Sequence, residues 1–550
     1  VYSFKILRSS ALLSILDIIA KSYTINVMND IPYTPQMNRG LQTVLLVIVF
    51  MVIAVLLRAP AIGAKDIWLD EANTVRIAED PAGFMISRLK LDSSPPLYYL
   101  TLHYWMKIFG QSETAVRSLS ALLGVLLVAA VFLVARKLFN PGIGALAAIF
   151  TALSPIQIMY SQETRMYTLL PLLGLLSCYF FVRFLEEPRP VILALSALFT
   201  VLALYTHNFG FFLLPVQFFM LLATKSPPRS FLKWSISLAV LFILYLPWLP
   251  ILLFQIRNGT HYAWIAQIWQ KSGLFGSLFQ TLRSFSGGSY LPLYTGSRGS
   301  AWISILSVAV VVAGAVTGAV FLIRDKKPAG SRVRLYHCLA YLGLPLILAG
   351  VGSLVFVPIY VAGRTDQLVF PAFVIAFAVL IAAVRSRSIK YSFIVAVIGL
   401  SILTLKDYYR VNYKTGDRQI AETILRHARS GDAVIFTNLT RASVEYYMLR
   451  SSDRITMYSY PEEVAAHMGN ISIENMLKDP RRLASNADSL VARIKDGKFN
   501  RVFLLLVANK VDDFLSAALE DNLPAKIITR LGQFRQSLVK TKVDLYMIEL

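Results

Sequence analysis

Residues 41–57 read LQTVLLVIVFMVIAVLL, an uncharged run. At about 1.5 Å of rise per residue, a run of this length and its flanks span the roughly 30 Å hydrocarbon core of a bilayer as a helix. Ten more apolar runs follow, at about 115–135, 142–159, 168–185, 190–206, 208–223, 234–254, 301–323, 335–357, 367–384 and 390–405. Eleven such segments predict a polytopic α-helical membrane protein. A helix is the fold in which each single run satisfies its own backbone hydrogen bonds in lipid. The composition agrees. Of 550 residues, 56% are hydrophobic and 16% charged, against about 45–50% and about 25% in soluble domains. A soluble enzyme with a membrane tail is excluded.

The chain carries 54 Lys and Arg against 32 Asp and Glu, a net charge of +22. Much of that excess falls in alternate loops, at Arg136, Lys137, Arg183, Arg189, Lys225, Arg229, Lys233, Arg324, Lys326, Lys327, Arg332, Arg334, Arg385, Arg387 and Lys390. The positive-inside rule makes those loops cytoplasmic. The N-terminus is then inside, and an odd span count puts the C-terminus outside. Nucleic-acid binding, the other common reading of a basic chain, lacks a basic block with interleaved aromatics. Cys178 and Cys338 lie in apolar runs, so neither a disulfide framework nor metal-type spacing is present. In residues 1–38, Phe4 to Ala20 is mildly amphipathic and fits an interfacial helix. Met37-Asn38-Arg39 reads as a natural start before the first span. A cleaved signal peptide fits less well, because 41–57 is long for its apolar region.

Three regions are left on the exterior side, at about 58–114, about 255–300 and about 406–550. The domain reading is therefore a membrane domain over 1–405 and a soluble extracytoplasmic domain over 406–550. In the tail, Arg418 to Ser430 and Asp512 to Leu519 read as helices, and Ala433 to Thr437, Arg501 to Val507 and Val543 to Leu550 as strands. Alternating strands and helices predict a small α/β fold. It has no Gly-rich phosphate loop, and no internal repeat runs through the chain.

The unusual polar residues gather on the exterior face. They are Asp66, Asp70, Glu71, Asp92, Glu113 and Arg117 in and after the first loop, Glu163, Arg165 and Tyr167 in the next turn, His207 in the one after, and Arg364 and Asp366 in the last. Ionisable groups near bilayer depth mark sites or paired structural charges. Each has a plain reading beside the functional one. Asp70-Glu71 is a favourable acidic pair for a helix first turn, or a general base with its neighbour. Glu163 and Arg165 pair with each other, or shape a cavity. Arg364 snorkels, or grips a phosphate, whose oxygens match guanidinium geometry. His207 is a satisfied interfacial histidine or part of a weak metal site. Tyr98, with Tyr99, Tyr104 and Trp105, forms an aromatic belt, or lines the cavity. Trp264, Trp269, Tyr290 and Tyr294 in the second exterior region stack on sugars, or belong to an interfacial helix.

The order of these pieces resembles the GT-C glycosyltransferases, polytopic enzymes with an Asp-Glu pair just beyond the first span. The closer resemblance is to bacterial members of glycosyltransferase family 39, relatives of the protein O-mannosyltransferases and the aminoarabinose transferases of lipid A. The matching pieces are Trp68-Leu69-Asp70-Glu71, Ser94-Pro95-Pro96-Leu97-Tyr98-Tyr99, the stretch from Gly110 to Arg117, the stretch from Ser161 to Tyr167, Tyr205-Thr206-His207 and Leu246-Pro247-Trp248-Leu249-Pro250. They cover about residues 40–385. Two positions depart from the family pattern. Ser94 stands where many relatives have His, and Thr365 follows Arg364 where many have Tyr.

The resemblance implies an inverting transfer of a sugar from a polyprenyl-phosphate donor to a hydroxyl of a lipid, polysaccharide or protein acceptor. The setting is the outer face of a bacterial cytoplasmic membrane. It implies Asp70 as base, Glu71 as its neighbour, and Arg364, Arg117 and Arg165 as phosphate ligands. Glu163, Tyr167, His207 and Tyr98 line the cavity. No cofactor is required, since arginines carry the phosphate charge, and a divalent cation at His207 and Glu163 is left open. Membrane lipids are the other partners, and nucleic acid is not one. The rivals are a secondary transporter, a lipid-linked oligosaccharide ligase or polymerase, and a scaffold presenting the tail.

Overall fold

The computed structural model describes residues 39–92, 94–257, 263–287, 298–324, 329–411, 414, 416–449, 455–462, 476–507, 509–523, 527–536 and 541–550. The readings of Phe4 to Ala20 and Met37 lie outside them, as do Tyr290 and Tyr294.

All eleven apolar runs are helical, but they are not alike. Among the described residues seven helices are long and apolar enough to cross a membrane: Gly40–Arg58, Glu113–Leu138, Leu169–Glu186, Ala301–Arg324, Arg332–Val355, Thr365–Ala383 and Arg387–Arg410. Two bent pairs raise that to nine, Pro141–Leu153 with Pro155–Ser161 at 60° and Pro228–Tyr245 with Leu249–Arg257 at 74°. Pro155, Pro247 and Pro250 lie at or beside these bends, where proline lacks the N–H of a continuous helix. The last two, Pro190–Leu204 and Asn208–Ala223, are apolar but shorter. Fifteen residues reach only about 22 Å. By length and composition the described residues hold seven crossings, or nine if each bent pair counts as one, and the two shorter helices would have to cross as well to reach the expected eleven.

Thr365–Ala383 is the innermost span, with 83% of its apolar window buried, while Gly40–Arg58 is peripheral at 17%. Lipid is as apolar as leucine, so small residues and polar pairs hold the helices together. A Cβ on Gly318 would overlap the Leu380 carbonyl, so this glycine sets the approach of Arg298–Arg324 to Phe370–Ala383. Gly318→Ala is expected to lower the thermal midpoint of the detergent-purified protein, since overpacking against backbone costs about 1–3 kcal/mol. An unchanged midpoint would show that the crossing relaxes freely. Elsewhere Gln217 donates to Ser177 at 3.1 Å and to Thr200 at 3.0 Å, a polar tie across three helices. Buried Arg58 donates to Ser161 at 3.0 Å and to the Ala152 carbonyl at 3.2 Å, fixing the end of the first helix to the bend at Ser154.

After Arg387–Arg410 the chain folds into a sheet of five strands: β1 (Ala433–Thr437), β2 (Thr456–Tyr460), β3 (Arg501–Val507), β4 (Ile527–Gln536) and β5 (Thr541–Glu549). Their order is β2-β1-β3-β5-β4. β1 runs parallel to β2 and β3, while β5 is antiparallel to β3 and β4. β3 is covered on both faces. Val502 and Leu504 pack with the helices Pro480–Asp496 and Lys510–Asn522, and Phe503 and Leu505 pack with Asp417–His427 and Arg441–Met448. A strand buried on both sides must be apolar at every position, which is why its sequence shows no alternation. β2 and β4 and the helices Arg441–Met448 and Pro480–Asp496 escaped the sequence reading. β2 is an edge strand and only partly buried. Pro480–Asp496 did carry a signal, because its buried Leu483, Ala487, Leu490, Val491 and Ile494 follow helical spacing behind the Asp479 cap.

Candidate active site

The helix Leu69–Glu79 in the first long loop places two carboxylates in its first turn. Adjacent residues on a helix point about 100° apart, and the two acids meet different surroundings. Glu71 faces inward and is fully buried. Its Oε1 accepts from Arg117 Nε at 2.8 Å and the Thr164 N–H at 2.9 Å. Its Oε2 accepts from Arg117 Nη2 at 2.8 Å and Lys414 Nζ at 2.9 Å. Burial works against this charge, but Arg117 and Lys414 outweigh it and hold the carboxyl down at about 2. Arg117 also donates to the carbonyls of Ile62, Lys65 and Asp66 at 2.8–2.9 Å. Each of its nitrogens therefore already donates to protein, so Arg117 braces the loop.

Asp70 is open. Its side chain is 21% exposed, against 0% for Glu71, and its Oδ2 accepts from Arg364 Nη1 at 3.1 Å. The Arg364 guanidinium carbon lies 5.4 Å from the ring centre of Trp68 and 5.4 Å from that of Trp264, between two aromatic faces that favour its charge. The turn carrying Arg364 is closed by Gly363, whose φ of +80° suits glycine. The Gly363 N–H donates to Asp366 Oδ2 at 2.8 Å, and Tyr160 donates to the Gly363 carbonyl. Thr281, on the helix Ala263–Phe285, donates to the same Asp366 oxygen. Trp264 and Thr281, on either side of the kink at Gly273 in that segment, thereby support one arginine.

Arg165 Nη1 donates to Thr74 Oγ1 at 2.8 Å, and Thr74 Oγ1 donates to the Asp70 carbonyl at 2.7 Å. Two buried donors in the segments around Asp70, Arg165 Nε and Trp68 Nε1, have no acceptor among the described residues. Buried donors are nearly always satisfied, so two orphans around one carboxylate mark a place for acceptor oxygens.

The other sequence candidates divide. Glu163 is buried and pairs with Lys414 at 3.0 Å; its link to Arg165 is through the backbone, where the Arg165 N–H donates to the Glu163 carbonyl at 2.8 Å. Burial and the charge of Glu71 push its carboxyl up against the pull of Lys414. Tyr167 is buried, with its ring 4.6 Å from that of Tyr160 and 5.7 Å from the Arg165 guanidinium carbon. Tyr98, placed in the cavity by the sequence reading, is fully buried and bonds Ser120 at 2.7 Å, so it belongs to the packing behind the site. His207 is partly buried, and its Nδ1 accepts the Phe209 N–H at 3.1 Å. Burial, then the charge of Arg165, lowers its imidazole to about 4, leaving it neutral. Among the described residues no three His, Cys, Asp or Glu side chains come together so as to hold a metal ion. Lys414 is the residue that the sequence reading missed. A lysine between Arg410 and Arg418, just after the last span, looks like an ordinary basic membrane flank, and nothing local shows that it turns inward.

Residues 93–251 match the model of the dolichyl-phosphate-mannose-protein mannosyltransferase family. Asp70, Glu71 and Arg364 lie outside that match. No curated protein matches the chain. Among solved structures, the chain is similar to the Archaeoglobus fulgidus oligosaccharyltransferase tethered with an acceptor peptide, at 11% identity over 90% of this chain and 69% of that one, with a TM-score of 0.51. It is also similar to ArnT from Cupriavidus metallidurans bound to undecaprenyl phosphate, at 15% identity over 92% of this chain and 98% of that one, with a TM-score of 0.47. The fold is the GT-C one that the sequence resemblance implied.

Proposed function

We propose that this protein is an inverting glycosyltransferase that moves a sugar from a polyprenyl-phosphate donor to an acceptor hydroxyl on the extracytoplasmic membrane face. One observation carries the reading. Of two adjacent carboxylates only Asp70 is open, and it sits 3.1 Å from a guanidinium in a setting with two unmatched buried donors. The partial match to the dolichyl-phosphate-mannose family supports a donor of this class.

In the proposed step Asp70 takes the proton of the acceptor hydroxyl as that oxygen bonds to the anomeric carbon. The bond from that carbon to the phosphate oxygen breaks, and its electron pair leaves with the phosphate. Arg364 faces this developing charge as a preorganised cation, and Arg165 and Trp68 supply the further N–H groups. Phosphate competes with Asp70 for Arg364, so donor binding frees the base. Glu71 and Arg117 hold the loop, Glu163 and Tyr167 back the cavity, and neutral His207, whose Nδ1 accepts the Phe209 N–H, has its Nε2–H left to donate. No step needs a cofactor. The prenyl chain lies among the spans, and the acceptor is a lipid, polysaccharide or protein hydroxyl.

Thermal stabilisation of the detergent-purified protein by undecaprenyl phosphate tests this. A ligand at about 100 times its Kd stabilises the folded state by about 2.7 kcal/mol. The phosphate is expected to raise the midpoint, the phosphate-free polyprenol to leave it unchanged, and Arg364→Ala to lose the effect. Equal stabilisation by both lipids, or an intact response in Arg364→Ala, would refute the phosphate site.

A further inference from the structure

Lys414 belongs to none of the apolar spans, yet its side chain is only 1% exposed and ends inside the site. Its ammonium bridges Glu71 at 2.9 Å and Glu163 at 3.0 Å and lies 5.6 Å from the Trp68 ring centre. The segment around it is tied to the same loop. The Asp66 N–H donates to the Lys414 carbonyl at 3.3 Å, Lys65 Nζ to the Tyr408 carbonyl at 2.9 Å, and Arg418 pairs with Glu113. The Ile67 N–H donates to the Tyr447 hydroxyl at 2.7 Å, and the Tyr446 hydroxyl to the Gln111 carbonyl at 2.8 Å. The part of the chain beyond the last membrane helix thus reaches back to the loop that carries Asp70.

We propose that Lys414 is a positioning residue of this site: it clamps Glu71 to Glu163 and cancels the second carboxylate, so that the cleft beside Arg364 accepts an anionic carrier phosphate. Glu71 and Glu163 face Arg117 and Lys414, and Asp70 faces Arg364. Three further charged or titratable groups face the cluster: Arg165, which acts on Asp70; Asp66, raised by burial against the pull of Arg418; and Lys65, held down at about 6 by burial and then by the charges of Lys414 and Arg117. Without Lys414, Glu163 is a surplus charge in a buried cluster that Arg364 also feels. Protonating Glu163, or Lys65, removes that surplus.

The inference rests on the carrier-phosphate reading above, and its experiment separates the two. Wild type, Lys414→Met, Lys414→Arg and Lys414→Met/Glu163→Gln are followed from pH 5.5 to 8.5 by two readouts, the midpoint of the unliganded protein and the affinity for undecaprenyl phosphate. For Lys414→Met the midpoint deficit against wild type should widen as pH rises. Its affinity should fall about tenfold at pH 8.5 and about threefold or less at pH 5.5, the scale of one uncompensated charge near an anion. Lys414→Arg keeps the charge and should stay within about threefold of wild type. The double variant should lose the pH dependence in both readouts. A deficit that is flat with pH, or that the double variant keeps, overturns the proposal in favour of mere packing. A pH-dependent midpoint in a protein whose wild type ignores undecaprenyl phosphate retains the clamp, and refutes its service to a carrier.

Discussion

Asp70→Asn is expected to reduce sugar transfer by about 10²–10⁴-fold, the usual worth of a positioned general base. The amide keeps the shape of the carboxylate and can still accept from Arg364, but it cannot take the acceptor proton. The lost group is 21% exposed and external to the Glu71 cluster, so the fold should be unaffected. Carrier binding should be equal or tighter, because Arg364 no longer has an anionic competitor at 3.1 Å. The measurement is release of polyprenyl phosphate from a polyprenyl-phosphate sugar, alongside the undecaprenyl phosphate midpoint shift. Slow release with an intact shift separates chemistry from binding. Wild-type rates in Asp70→Asn would remove Asp70 as the base.

Arg117→Met should give the largest stability loss. It breaks a fully buried pair made through two 2.8 Å bonds and leaves the carbonyls of Ile62, Lys65 and Asp66 without their donor. Removing one partner of a buried ion pair costs about 3–5 kcal/mol, since the other charge stays behind desolvated. Lys414 still faces Glu71 at 2.9 Å, which keeps the loss from being larger. Arg117→Met/Glu71→Gln should recover part of it, because the stranded charge is gone while the three carbonyls remain unmatched. The pH dependence has a definite sign. The folded-state value of Glu71, about 2, lies below the ordinary glutamate value of 4.5. The pair thus contributes its full stability above the unfolded value and loses it as pH falls from about 5 towards 2. Midpoints of wild type and Arg117→Met should therefore converge with acid over that window. Midpoints that run parallel with pH would assign the effect to the carbonyls alone.

The Asp70 face of the site was readable because its residues are of unusual type for their place. A carboxylate, a guanidinium or an imidazole stands out between apolar runs, and this drew attention to Asp70, Glu163, Arg165 and Arg364. The division of labour among them was not readable. Arg117 and Arg364 look equivalent as letters, yet one is buried against three carbonyls and a carboxylate while the other faces Asp70 between two tryptophans. Tyr98 looked like a belt or cavity residue and is core, because the side on which a helix packs depends on its neighbours.

Sequence alone determined the membrane class, since crossing a bilayer depends on consecutive residues, and β1 and β3, since strands covered on both faces are apolar throughout. It also determined that the polar groups share one face, because loops alternate sides. Only the tertiary structure decided which of two neighbouring acids is open, because that depends on Arg117, 46 positions on, and Lys414, 343 positions on, meeting Glu71 and leaving Asp70 to Arg364. Contacts between residues so far apart in the chain leave no local pattern, and the electrostatics of a buried cluster are set by who is within a few ångströms.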